Sequence, residues 1–299
     1  MNTSKIFSNA VAVCDERKLL GNEQLTRLMS ASYDDAVKML KDYGYADTEE
    51  SADLDAFFYS QTLDLVEYIK EYCPNKYLLD ILLNRYLYVN AKAVYKSQFT
   101  ARQAEGYGFF PLNVEELKEV LAIKDAYEKM DALGVNDARR IDIILTQCMY
   151  DNNLHCATKS HDRTLKRYVV SEIDIKNILT CLRAKRLGKD FEYTSEMIIR
   201  GGKLKEDTLR QVFEQGVKGL EDTEYEGLFF DDAVQTETDG EEYLLSVALC
   251  KRMDFDSVSP FFGYCLKKMM EHRTVKMILT CIKNGVPQEI SKRLRCYYD

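Results

Sequence analysis

Apolar residues recur with the period of an α-helix along almost the whole chain, and one such pattern occurs three times. Leu25, Leu117 and Leu209 are spaced 92 residues apart in both intervals, and two apolar residues follow each of them three and four positions later. The following pairs are Leu28 and Met29, Val120 and Leu121, and Val212 and Phe213. This spacing is typical of the buried face of an amphipathic helix. We name the three segments 25–45, 117–135 and 209–225 the leucine motifs; they predict three related helical units with approximate threefold symmetry, which is a scaffold rather than a catalytic cleft.

A second pattern follows each leucine motif on a longer helix. Residues 86–90, 173–177 and 270–274 read YLYVN, IDIKN and MEHRT, which aligns Asn90, Asn177 and Thr274. Asp174 then aligns with Glu271, whereas the first copy has Leu87 there, and Gly188 aligns with Gly285. The repeated ILTC at 178–181 and 278–281 offers a competing register of 100 residues. We prefer 97 residues because it aligns both the acid and the helix-ending glycine.

These polar residues are expected to make structural contacts. Asp174 with Asn177, and Glu271 with Thr274, are three residues apart and therefore share a helix face. A catalytic dyad would not need to recur in several units, and the first unit lacks the acid. We therefore predict that Asn90, Asp174, Asn177 and Glu271 serve packing or contact with other subunits.

The chain is predicted to be all-α, with helical units at 1–105, 106–200 and 201–299. A helix is predicted over 54–72, where Gln61 is the one residue out of character on the apolar stripe. Asn113 and Glu116 form a capping-box pattern ahead of a helix predicted over 115–133. Residues 191–199 (FEYTSEMII) are the only weak candidate for an extended segment.

Charge is unevenly distributed. The net charge is −8, yet the segment from Glu221 to Glu242 has ten acidic and no basic residues, so the remainder carries +2. An acidic chain without a basic aromatic stripe is a poor nucleic-acid binder. The acidic segment, which includes Asp231, Asp232, Glu237 and Asp239, is interpreted as a long loop that docks on a partner, or alternatively as a solvated loop without a partner.

The cysteines and the hydropathy indicate a cytosolic protein. Nine cysteines, none in a C-x-x-C arrangement, and no signal-peptide pattern argue for reduced thiols that pack as small apolar residues. A membrane-spanning helix requires about 18 consecutive apolar residues, and no apolar stretch of the sequence is that long, so direct membrane insertion is not expected.

No catalytic, cofactor or metal site is predicted. His155, His161 and Asp162 are the best metal candidates, but a metal phosphohydrolase needs further histidines and aspartates, so a surface turn is the preferred interpretation. The segment from Gly201 to Lys203 lacks the G-x-x-x-x-G-K-[ST] pattern of a phosphate loop. Patterns for other nucleotide, serine-hydrolase and zinc sites are also absent from the sequence.

At these residues the chain resembles the C subunit of V-type and A-type rotary ATPases, which is equivalent to the d subunit of eukaryotic vacuolar enzymes. The resemblance covers nearly the full length: the opening segment 8–40 with the paired Leu19 and Leu20, the D-x-x-N helix at 173–188, the start of the third unit at 201–213, and the segment 259–299. The last segment carries the resemblance through Tyr264, Lys268, Glu271, Lys276, Gly285 and Arg293. Leu87, Thr274 and Met269 depart from the family pattern.

The resemblance implies a funnel-like, non-catalytic protein at the cytoplasmic face. It implies that the central cavity receives the foot of the central stalk and that the protein sits on the membrane rotor (proteolipid) ring, peripheral to the cell membrane, for proton or sodium transport. Two alternatives remain at the level of the sequence: a free-standing helical adaptor for a protein partner, and a metal-dependent hydrolase centred on His155, His161 and Asp162.

Overall fold

The computed structural model describes residues 4–45, 54–100, 102–229 and 233–286. Over these ranges the chain forms thirteen α-helices and one 3₁₀ helix, and no strand occurs in them. The all-α prediction is confirmed. The α-helices are α1 (Lys5–Glu16), α2 (Asn22–Ser30), α3 (Tyr33–Asp42), α4 (Leu54–Tyr72), α5 (Lys76–Ser97), α6 (Val114–Leu117), α7 (Leu121–Ala132), α8 (Ala138–Lys159), α9 (Arg163–Arg186), α10 (Phe191–Ser195), α11 (Glu206–Gln215), α12 (Ala233–Ala248) and α13 (Ser259–Lys283), and the 3₁₀ helix is Gly216–Leu220.

The chain divides into two compact units. Unit 1 comprises residues 1–76 and 248–299, and unit 2 comprises residues 77–247. The predicted division at residues 105 and 200, with its threefold symmetry and funnel-like form, stays a prediction.

Unit 1 is built around α13, which packs against α1, α2, α3 and α4. Leu28 and Leu40 from the first leucine motif are fully buried, as are Val275 and Ile278 on α13. Each such side chain stabilises the fold by about 1.5–3 kcal/mol when it leaves water. The helix predicted over 54–72 is confirmed as α4, whose Phe57 and Phe58 complete this core. Unit 1 therefore joins segments from both ends of the sequence around one core.

Unit 2 has a core in which α5, α7 and α8 meet. Tyr88, Tyr95 and Tyr127 are buried there, and the Tyr127 hydroxyl donates to the Ala91 carbonyl oxygen at 2.6 Å. Helix α9 packs on α8 and on α11, so it adds the third leucine motif to the same unit. The long helices of unit 2 thus provide a common support for the second and third motifs.

Each leucine motif forms two helical segments. Leu25, Leu117 and Leu209 are buried as predicted. Leu121, which the motif also placed on the buried face, is 68% exposed, so that part of the prediction is wrong. The reason is that the chain leaves the helical conformation at Val120, so Leu121 begins a new helix with a different orientation.

Two further local predictions are corrected. Asn113 does cap a helix, since its side chain accepts from the Glu116 amide at 2.9 Å. That helix is only α6, and α7 follows after a break, rather than one helix over 115–133. The segment 191–199 is not extended: Asp190 accepts from the Tyr193 amide at 2.7 Å and caps the short helix α10.

Candidate functional site

Asp174 joins α9 to the loop that precedes the third leucine motif. Its carboxylate is fully buried and accepts hydrogen bonds from the Lys203 amide at 2.9 and 3.0 Å and from the Leu204 amide at 3.0 Å. The Tyr225 hydroxyl, at the end of that motif, donates to the same carboxylate at 2.9 Å. One side chain therefore fixes both the loop before the motif and the last residue of the motif to α9.

Asn177 and Asn90 hold loops through paired backbone contacts. The Asn177 amide donates to the Ile199 carbonyl and accepts from the Ile199 N–H, both at 2.8 Å. Asn90 accepts from the Tyr107 N–H at 2.7 Å and donates to the Tyr107 carbonyl at 2.8 Å. A buried asparagine bonded in this way gives hydrogen-bond partners to backbone N–H and C=O groups of the loop that are removed from water.

Two glycines allow these side chains to approach the loops. A Cβ at Gly106 would lie 2.3 Å from Asn90 Oδ1, and a Cβ at Gly202 would lie 2.2 Å from Asp174 Oδ1. Both distances are far below contact, and both neighbours are short, buried side chains with little room to move. Glycine is thus required at both positions by the polar contacts beside it.

Glu271 makes the equivalent contacts in unit 1. Its carboxylate accepts from the Leu20 amide and from the Tyr45 hydroxyl, the latter at 2.7 Å. It also pairs with a cation, because Lys268 Nζ lies at 2.6 Å from it. Lys268 Nζ is in addition 4.8 Å from the centre of the Tyr45 ring.

The contacts recur at fixed distances before the first leucine of each motif. Glu271 binds the amide five residues before Leu25, and Asp174 binds the amide five residues before Leu209. Asn90 and Asn177 bind backbone groups ten residues before Leu117 and Leu209 respectively. The acid and the asparagine are therefore two separate contact positions of one repeated arrangement.

Sequence reasoning did not assign a role to the tyrosines in these contacts. Tyr45 and Tyr225 are the last residues of the first and third leucine motifs, and both are buried. Burial raises the pKa of each phenol, and the adjacent carboxylate raises it further. Each hydroxyl therefore stays protonated and acts as a donor. The signal available in the sequence was the shared motif end, where the second motif has Val135 in place of tyrosine.

Burial is also the main influence on Asp174. It raises the pKa of the carboxyl group, while the hydrogen bonds from Leu204, Lys203 and Tyr225 oppose that rise. Such a balance is expected where a buried carboxylate is solvated by protein donors in place of water.

A cleft of about 1130 Å³ lies in unit 2 beside these contacts. It is lined by α7, by α8 and by the loop before α11 that Asn177 and Asp174 hold. Its apolar lining includes Ile144 and the exposed Leu121, and its charged lining includes Asp125, Lys129 and Arg200. A cleft with apolar and oppositely charged groups can bind a segment of another protein.

A known protein family matches nearly the whole chain. The profile of the family described as "ATP synthase (C/AC39) subunit" matches residues 14–294. The chain belongs to this family. It is 29% identical over 197 residues to the C subunit of the A-type ATP synthase of Desulfurococcus sp. and 30% identical over 197 residues to that of Thermococcus gammatolerans. These alignments cover 60% of this chain and 54% of each relative, so the chain spans about half the length of the curated relatives it matches.

The resemblance of the sequence to the C subunit of V-type and A-type ATPases is thereby confirmed. The structure assigns contacts to several residues that carry it, including Lys268 and Glu271. Lys276 pairs with Asp55 at 2.6 Å. Arg293 lies outside the described residues.

The acidic segment is only partly a loop. From Ala233 onward it belongs to α12, so the prediction of one long loop is wrong over residues 233–242. Glu237 pairs with Arg183 at 2.7 Å, and Asp239 is partly buried. Asp231 and Asp232 lie outside the described residues. Because the acids from Glu237 onward are on a helix, the acidic segment is not a single continuous loop.

The three residues considered for a metal site each have a different local setting. His155 is exposed on α8 and lines the cleft, His161 lies in the turn after α8 with a φ of 55°, and Asp162 caps α9 by accepting from the Thr164 amide at 2.8 Å. Over the described ranges, no group of three or more histidine, cysteine, aspartate or glutamate side chains could hold a metal ion.

The described cysteines are free thiols. Cys156, Cys181 and Cys265 are buried, whereas Cys14 and Cys250 are exposed. None of the helices in the described part of the chain combines the length and the apolar character needed to cross a membrane.

Proposed function

We propose that this member of the ATP synthase (C/AC39) subunit family is a non-catalytic central-stalk subunit of a V/A-type ATPase. In this role it couples the rotating central stalk to the membrane rotor ring during ion transport, at the cytoplasmic face and peripheral to the membrane. The observation that carries the proposal is the family match over residues 14–294. Central-stalk subunits and the proteolipid ring are the expected partners.

The buried polar contacts support a mechanical role. A protein that couples rotation must pass torque without deforming, and close-packed helices resist deformation better than loops do. Asp174, Asn177, Asn90 and Glu271 each bind backbone groups of a loop. The loops beside the leucine motifs are thereby held to long helices in both units.

The cleft in unit 2 is the proposed contact for the central stalk. Leu121 is 68% exposed on its lining, and an apolar side chain of this size contributes to binding when a partner removes it from water. Leu133, which follows the last residue of the same helix, is 59% exposed but does not line the cleft. The two leucines therefore form a matched pair for mutation.

The test is purification of the tagged full chain from native membranes in mild detergent. We expect the wild type and Leu133→Asp to retain the catalytic head and the ring, and Leu121→Asp to retain the ring but less of the head. Equal retention by the two variants would refute the cleft as the stalk contact. Recovery of the wild type with an unrelated protein, and without any other component of an ATPase, would instead favour a free-standing adaptor.

The acidic segment is proposed to dock on the rotor ring. An exposed patch of one sign raises association rates and makes binding sensitive to salt, because screening acts over about 8 Å at physiological ionic strength. Neutralising Asp231 and Asp232 together is expected to slow docking at low salt. Glu237→Gln is the comparison, since Glu237 is already paired with Arg183. If the double variant associates with the ring at the wild-type rate at low salt, the acidic segment is a solvated segment that does not contribute to docking.

A further inference from the structure

Gln61 is a polar residue on the buried face of α4. It is 6% exposed, and its Nε2 has no hydrogen-bond partner among the residues that the structure describes. A buried amide without a partner is unfavourable, because it has given up its hydrogen bonds to water without replacing them. The surrounding positions of the helix, Phe57, Phe58 and Leu65, are apolar and buried. Nothing in the apolar stripe explains why glutamine occupies this position.

His272 is a second polar residue of the same kind, on α13. It is 8% exposed, and its Nε2 also lacks a partner among the described residues. Burial, with a smaller effect of Lys268, lowers the pKa of the imidazole to about 3. The ring is therefore neutral at physiological pH.

The two side chains lie at the same level of an antiparallel helix pair. Near one end of the pair, Lys276 Nζ of α13 is 5.8 Å from the Phe58 ring of α4. Toward the other end, the Tyr68 ring is 5.3 Å from the Tyr264 ring. Gln61 is three residues after Phe58, and His272 is four residues before Lys276, so both lie about one helical turn inward from the same contact.

Tyr45 gives an independent measure of this proximity. Its ring centre is 6.1 Å from that of Phe57 and 5.8 Å from that of His272. Phe57 and Gln61 are four residues apart and share a face of α4. His272 is therefore next to the Tyr45 ring, and Gln61 lies one turn of α4 from Phe57, which is next to the same ring in the core of unit 1.

We propose that α4 and α13 enclose one water molecule that bridges Gln61 Nε2 and His272 Nε2. Gln61 donates to the water oxygen, and the water donates to the imidazole nitrogen. Buried waters of this type make two to four hydrogen bonds to otherwise unsatisfied groups. The water would give a partner to both polar atoms and would explain the glutamine on the apolar stripe.

A matched pair of residues exists in unit 2. Asn84 and Asn153 are also buried, but Asn84 Nδ2 donates directly to Asn153 Oδ1 at 2.7 Å. No water is needed between them. Replacing that pair by apolar residues should therefore remove a polar contact without removing a bound water.

The experiment counts long-lived internal waters by oxygen-17 magnetic relaxation dispersion on the full chain. We expect Gln61→Leu/His272→Phe to contain one fewer than the wild type, and Asn84→Leu/Asn153→Leu to contain the same number. An unchanged count in the first double variant would overturn the proposal.

A crystal structure of the wild type, at a resolution that shows ordered water, tests the same site if a double variant fails to fold. The expected density peak lies about 2.7–3.2 Å from both nitrogen atoms. A direct contact between the two side chains, or a dry gap between them, would overturn the proposal.

Discussion

Replacing Asp174 by asparagine tests whether the buried carboxylate stabilises the fold. Oδ1 accepts the Lys203 and Leu204 amides, and Oδ2 accepts the Tyr225 hydroxyl and shares the Lys203 amide. Asparagine keeps one acceptor oxygen and presents an NH₂ group in place of the other. The variant keeps the size of the side chain, so a change in stability reports the lost hydrogen bonding.

The magnitude follows from the number of donors that lose a partner. The Tyr225 hydroxyl loses its acceptor, and the Lys203 N–H faces an N–H group across one of its two contacts. A hydrogen bond to a charged group contributes about 1.5–3 kcal/mol, and the hydroxyl can recover part of this by turning to accept from the new amide. We expect a loss of about 1–3 kcal/mol in the free energy of unfolding, which at roughly 2–4 °C per kcal/mol lowers the Tm by roughly 2–12 °C.

The assay is thermal and denaturant unfolding of the isolated chain, with Asp151→Asn as the control. Asp151 is exposed on α8 and accepts a hydrogen bond from Gln147 on the same helix, so its replacement should change the free energy of unfolding by less than about 0.5 kcal/mol. Equal stability of the two variants would refute the structural role of Asp174. A fall in ATPase turnover of an assembled, coupled complex, with assembly and stability intact, would show instead that Asp174 takes part in function directly.

Three further outcomes are expected. Burial lowers the pKa of folded His272 to about 3, so between about pH 6.5 and pH 3 the unfolded chain binds a proton that the folded chain does not. The free energy of unfolding of the wild type, relative to His272→Gln, should be constant above about pH 6.5 and should fall through that window by up to about 1.4 kcal/mol per pH unit. Denaturant curves measure this, and parallel pH profiles of the two proteins would contradict it. Gly202→Ala and Gly106→Ala should each lower the free energy of unfolding by about 1–3 kcal/mol because the new Cβ meets a buried side chain, whereas unchanged melting would show that the loops can shift. The isolated chain should show no heat of ATP binding by calorimetry, since the sequence has no phosphate loop, and measurable binding would count against the proposed non-catalytic role.

The sequence is informative where burial decides the structure. The helix over 54–72 could be predicted because its apolar stripe is long and regular, and the alignment of Asp174 with Glu271 anticipated the equivalent contacts that the two acids make. The break at Val120 could not be predicted, because local apolar spacing is the same in a continuous helix and in two helices that meet at an angle. The helix that begins at Ala233, within the acidic segment, was also not predicted, because the high density of like charge suggested a loop. The packing of α12 through residues such as Leu244 and Val247 outweighs the repulsion between these charges.

The spacing between each contact loop and the leucine that follows it has a consequence for how the chain can vary in length. Tyr107 precedes Leu117 by ten residues and Ile199 precedes Leu209 by ten, while Leu20 and Leu204 precede their leucines by five. One inserted residue in such a segment would turn the following helix by about 100° relative to its fixed end and move the leucine out of the core. Length differences among relatives should therefore avoid these segments, and an epitope tag or fluorescent label inserted for study of the complex should be placed elsewhere.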